Sequence, residues 1–179
     1  PGLSDLPVEG RDRFDVSGFS LPTFALAFDA AQLQITTSAV RLTIALEGFF
    51  CRWESQQQGA WRTTAADRPT QAYNFGWWDE KVYHYLQRER GEMYFGLGER
   101  AGDANRAGQR YRMQNLDPMG YDARRTDPLY KHIPFYITRK AGEKDEGLTF
   151  GLFYDTLSDC SFDMGREMDN YHGLYRYFV

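Results

Sequence analysis

A chain of 179 residues is long enough to bury a core of its own, since a domain of about 150 residues removes roughly 70% of its unfolded surface from water. With 42% apolar and 16% aromatic residues, it carries too much packing material for a disordered segment. The formal net charge is -4, and acidic and basic residues are interspersed, so no basic face is offered to a phosphate backbone and nucleic acid is not an expected partner.

In chain order the pattern is one of short strands. Residues 40–46 put Val40, Leu42, Ile44 and Leu46 on one side and Arg41, Thr43 and Ala45 on the other, which is strand period two. Runs rich in β-branched and aromatic residues cover 23–28, 33–37, 49–54, 81–88, 93–97, 133–139 and 148–154, each bounded by turn chemistry. The charged stretch 140–147, with Gly142 and Gly147 near its ends, joins two apolar runs and reads as the tip of an antiparallel hairpin. Nowhere do apolar residues recur at helical spacing over a dozen positions. The expected fold is therefore all-β, an antiparallel sandwich of two sheets forming one domain over 1–179.

From 98 to 129 the alternation fades, and polar, Gly and Arg residues dominate apart from a short strand around Tyr111. A connection of that length inside a compact domain is either functional or misassigned; we read it as functional. No apolar run approaches the ~20 residues of a membrane helix, and no charged segment followed by an apolar stretch opens the chain as an export signal would. A soluble protein with no membrane partner, located in the cytoplasm, is expected. From the absence of an initiator Met and the apolar run 175–179, both ends are expected to be cuts within a longer protein.

Cys51 and Cys160 are either bridged or buried thiols, and buried thiols are the reading adopted. Gly96, Gly98 and Ala101 fit the permissive form of the dinucleotide fingerprint, which must open an apolar helix. Here Gly102, Asp103, Ala104, Asn105, Arg106, Ala107 and Gly108 follow, so the glycines are expected to let the backbone turn where a strand leaves its sheet. His84, His132 and His172 stand far apart, without metal-ligand spacing, and are read as structural. No Gly-x-Ser-x-Gly elbow occurs, and no metal or cofactor is implied. Aromatic residues interleaved with carboxylates and arginines are compatible with carbohydrate, whose C–H faces stack on rings, although core packing accounts for most aromatics in a β domain.

The stretch His84-Tyr85, then Glu92-Met93-Tyr94-Phe95-Gly96-Leu97-Gly98-Glu99, resembles a segment late in the amino-terminal domain of family-31 glycoside hydrolases, the α-glucosidase family. Arg110-Tyr111-Arg112-Met113-Gln114-Asn115-Leu116-Asp117, Gly120-Tyr121-Asp122, Thr126-Asp127-Pro128-Leu129-Tyr130-Lys131-His132-Ile133-Pro134-Phe135 and Gly151-Leu152-Phe153-Tyr154-Asp155 follow in the same order. The resemblance implies a β-sandwich of galactose mutarotase-like fold, packed on a (β/α)₈ barrel that carries two catalytic Asp residues beyond Val179. Catalytic residues are thus expected outside this chain. The resemblance also implies that the loop between the Gly-Leu-Gly-Glu and Tyr-Lys-His-Ile-Pro-Phe segments reaches over the barrel mouth, with Asp117 facing a sugar and Tyr121 and Tyr130 as pocket walls. Glu99, Arg100, Arg110 and Arg112 are expected to hold the loop by ion pairs. Where relatives often have an aromatic residue before the Asn of Asn-x-Asp, this chain has Gln114. An α-glucoside or related oligosaccharide and the barrel of the full-length protein are the expected partners. The rival readings are a stand-alone carbohydrate-binding or mutarotase-like protein, and an interaction domain whose loop contacts another protein.

Overall fold

The computed structural model describes residues 18, 20–75, 81–142, 147–167 and 175–178. Among them are thirteen strands and no helix. The first five, β1 (Ala25–Phe28), β2 (Gln32–Thr36), β3 (Val40–Ala45), β4 (Phe50–Gln57) and β5 (Ala60–Ala66), form an antiparallel meander in chain order. Local chemistry closes its hairpins. The Asp29 carboxylate accepts the N–H groups of Ala31 and Gln32 at 2.7 Å and 2.9 Å, an Asx turn. Gln58 and Gly59 both have positive φ between the paired Gln57 and Ala60, the conformation a two-residue hairpin loop favours.

Two further sheets make the sandwich. One holds β11 (Thr149–Phe153), β10 (Phe135–Arg139) and β8 (Met93–Gly96) in that order. The other runs β6 (Tyr73–Phe75), β7 (Val82–Gln87), β13 (Tyr175–Phe178), β12 (Cys160–Asp163) and β9 (Arg110–Met113). The core lies between them: Tyr94, Leu97 and Tyr136 from one side pack with Tyr111, Met113, Cys160, Phe162 and Met164 from the other. Its rings meet edge to face, Tyr94 on Tyr136 at 6.1 Å, Tyr136 on Phe162 at 5.8 Å and Tyr154 on Phe162 at 5.4 Å, an arrangement that matches ring edges to ring faces.

The all-β antiparallel sandwich is as expected, but the described strands form three sheets rather than two. The meander joins the third sheet edge-on, through the Asp67–Leu86 bridge and the Arg68 N–H donated to Tyr85 O at 2.9 Å. A buried polar knot fixes the junction. Asp67, whose side chain has no exposed surface, accepts the Cys51 N–H at 2.8 Å and lies 2.9 Å from His84 Nε2. The second ring nitrogen of His84 is 2.8 Å from the Tyr154 hydroxyl, so one imidazole links all three sheets. A carboxylate can be this deeply buried because each oxygen has a partner. The hairpin over 140–147 is present as the β10–β11 pair with Arg139 opposite Thr149; its residues 143–146, like His172, lie outside the described residues.

Candidate functional site

The loop singled out from the sequence leaves β8 through three successive residues of positive φ, Gly96 (122°), Leu97 (62°) and Gly98 (73°). A Cβ on Gly96 would stand 2.8 Å from Phe135 O, so only glycine lets the strand turn away so close to β10. These glycines serve backbone geometry, as expected.

Arg100 then staples both ends of the loop. Its side chain is fully buried, with Nε donating to Leu97 O at 2.9 Å and the terminal nitrogens donating to Leu129 O at 3.1 Å and to Lys131 O. Burial pulls the guanidinium below its ordinary range, and Asp127, 3.7 Å away, opposes that shift. Asp127 in turn accepts the Arg112 N–H at 2.8 Å; burial raises its carboxyl, while that N–H and the Arg100 and Arg112 charges pull it back down. The Asn115 amide oxygen accepts the His132 N–H at 2.7 Å, and the His132 ring nitrogens face Met113 O and Thr156 O. At the rim Arg112 pairs with Asp159, Arg110 with Asp163 and Glu167, and Lys131 with Glu99. The expected ion pairs thus hold the loop, although Arg100 acts chiefly on carbonyls. Asn115 and Asp127 were not singled out as anchors; the signal available was the tendency of Asn and Asp to cap nearby backbone N–H groups.

On this frame Asp117, expected to face a sugar, and Tyr121 and Tyr130, expected as pocket walls, come together. The Leu116 carbonyl accepts the Tyr130 N–H at 2.6 Å, drawing Asp117 beside Tyr130. The rings of Tyr121 and Tyr130 meet edge-on at 5.9 Å and 75°. Partial burial, and then the charges of Asp117, Tyr121 and Glu99, hold the Tyr130 phenol above the ordinary tyrosine range. Asp117 and Tyr121 are exposed, and Met119 beside them is 98% exposed. A cleft of about 790 Å³ is lined by Arg110, Tyr111, Arg124, Asp127 and Arg166, among others, but by none of the three. Asp117 and Tyr121 thus stand exposed beside a half-buried Tyr130, outside that cleft. A carboxylate there can accept two charge-assisted hydrogen bonds from neighbouring hydroxyls, and two phenols can flank the ring that carries them.

Residues 3–163 match the family of the glycosyl hydrolase 31 N-terminal galactose mutarotase-like domain. The chain belongs to that family. It is 38% identical over 76 residues to an α-glucosidase of Saccharolobus solfataricus, covering 42% of this chain and 10% of that protein. It is 28% identical over 91 residues to α-glucosidase 2 of Bacillus thermoamyloliquefaciens, covering 51% of this chain and 11% of that protein. Among solved structures, the glycoside hydrolase 31 dextranase of Flavobacterium johnsoniae complexed with glucose superposes with a TM-score of 0.67 at 23% identity, over 87% of this chain and 17% of that one. The cycloalternan-forming enzyme of Listeria monocytogenes, in complex with a pentasaccharide substrate, does so with a TM-score of 0.66 at 15% identity, over 87% of this chain and 14% of that one. At these identities the structural likeness concerns the fold. The chain spans about a tenth of the curated relatives it matches.

Proposed function

We propose that residues 1–179 are the non-catalytic amino-terminal domain of a retaining α-glycosidase, α-glucosidase-like, which packs on a catalytic (β/α)₈ barrel and lends the Asp117 loop to the substrate pocket. The observation that carries this reading is the convergence of Asp117, Tyr121 and Tyr130 at the surface of a loop fixed by a buried arginine, in a chain of the glycoside hydrolase 31 amino-terminal family. Such a surface cluster is half a pocket, and a barrel would supply the other half with the nucleophile and the acid that a double displacement requires. The substrate class is an α-glucoside or related oligosaccharide; a second dextranase structure similar to this fold holds isomaltotriose. Free, buried Cys51 and Cys160 suit a reducing compartment such as the cytoplasm.

In this role the chain performs no bond-breaking step itself. The Asp117 carboxylate accepts hydrogen bonds from adjacent sugar hydroxyls, and Tyr121 and Tyr130 limit where the ring can sit. Asp117→Ala in the full-length enzyme removes charge-assisted bonds worth about 1.5–3 kcal/mol each. A loss of about 2.7 kcal/mol in transition-state binding is a hundredfold fall in kcat/KM, whereas an exposed turn residue shifts stability by about 1 kcal/mol at most. The measurement is kcat/KM on an α-glucoside beside the Tm of the same variant. A fall of about a hundredfold at nearly constant Tm is expected; near-wild-type kcat/KM, or a loss only in step with Tm, would make Asp117 a turn residue and no more.

A further inference from the structure

The turn joining β3 to β4 passes through Gly48 and Phe49 with φ of 76° and 51°. Glycine suits position 48, where φ is left-handed and a Cβ would come within 2.3 Å of the Phe50 ring. Phe49 has no such excuse: left-handed backbone is rare for a bulky residue and favours Gly or Asn. Nor is its ring spent on the core, since 55% of the residue is exposed. Backbone strain of this kind clusters at functional sites.

Opposite Phe49 stands Tyr73, 5.9 Å away between centroids and tilted by 47°. Tyr73 lies flat on His84 at 4.7 Å and 5°, and His84 is locked by Asp67 and Tyr154, so this wall is rigid. Phe75, 72% exposed, completes the set. Together with Gly48, Phe50, Thr70, Gln71 and Ala72 these residues line a cleft of about 600 Å³, a size usual for small-ligand sites. Among the described residues its lining includes no Asp, Glu, Lys, Arg or His, and burial followed by the Asp67 charge pushes the Tyr73 phenol up to about 12, so the described lining is uncharged. Arg68 behind it is turned to Gln71 O at 3.1 Å and to the Tyr85 ring at 4.4 Å.

We propose that this cleft is an accessory carbohydrate site for a neutral α-linked oligosaccharide, sharing no residue with the Asp117 loop. Ring faces of Phe49 and Phe75 take the C–H face of a sugar, and the Thr70 hydroxyl and Gln71 amide stand among the lining groups as partners for its hydroxyls. A charged ligand would find no counter-charge among the described lining residues. The choice of α-linked sugar rests on the glycosidase reading above; the aromatic cleft does not.

The test is titration of the 179-residue chain with maltotriose and isomaltotriose, followed by backbone amide shifts residue by residue. Saturable shifts at Phe49, Tyr73 and Phe75 are expected. Phe49→Gly deletes the ring while relieving the backbone, and Phe75→Ala deletes an exposed ring; each should weaken binding roughly tenfold without lowering Tm. No saturable binding, shifts confined to the Asp117 loop, or unchanged affinity in both variants would overturn the proposal, as would binding of an apolar peptide in place of either sugar. Failure of this site leaves the glycosidase reading standing, since that reading is decided by Asp117→Ala in the full-length enzyme.

Discussion

Burial keeps both thiols out of the range in which cysteine reacts. Cys51 is pushed up to about 11 by burial and then by the neighbouring Asp67, and Cys160 to about 11 by burial and Asp159 against the pull of Arg100. The thiolate is the nucleophile, so native protein at pH 8 should react with an aromatic disulfide reagent on the order of a hundredfold more slowly than the guanidinium-unfolded chain. A thiol that labels rapidly in the native state would contradict this. The spacing of the two cysteines left a disulfide open, because their separation depends on which sheet each strand joins. Cys51 belongs to the meander and Cys160 to β12, and both are free. Asp117, Tyr121 and Tyr130 were legible through motif order; their meeting was not, since it depends on a Tyr130 backbone at φ 50° and a bond from Tyr130 back to Leu116.

Within the meander, Arg41 and Glu54 sit opposite each other on β3 and β4, with Nε to carboxylate at 2.7 Å. That hydrogen bond, opposed by burial, holds Glu54 below its ordinary value near 4.5. A carboxyl lowered in the folded state contributes stability that is present above the unfolded value and lost as pH falls through the folded one. Acid melting curves below pH 4.5 should therefore show a loss in the wild type that Glu54→Gln does not show; parallel curves would remove Glu54 from the acid response. Strands of clear alternation, such as β3 and β10, were legible in the sequence. Three were not. In β5 the buried inward residue is only Ala65, too small to mark an apolar stripe. β6 has three residues. β12 ends in Asp163, a polar residue 1% exposed, which reads as a turn until Arg110 and the Gly165 and Arg166 N–H groups are seen to satisfy it.

Taken as a whole, the molecule divides its apolar residues unevenly. Phe162 lies at the centre of the ring cluster, 1% exposed, whereas Leu26 and Phe28 on the outer meander strand are 62% and 74% exposed. Phe162→Ala should cost about 3–5 kcal/mol by cavity formation, while Phe28→Lys should shift stability by about 0.5 kcal/mol or less. Denaturant titration of the two variants measures both, and a large loss in Phe28→Lys would show that this face packs against something. The hairpin order β1 to β5 was readable, because neighbours in sequence are neighbours in space. The order β6-β7-β13-β12-β9 was not, since local patterning holds no record of which distant strand arrives between two others. That order also sets a timetable. As the chain emerges during synthesis, the meander can close from adjacent segments, but Tyr85 must wait for Tyr177, and β12 has a partner on only one side until β13 slides in between. Closing so long a loop is slow, so β7 and β12 spend that interval as unpaired edges, the form in which strands most readily join the wrong neighbour.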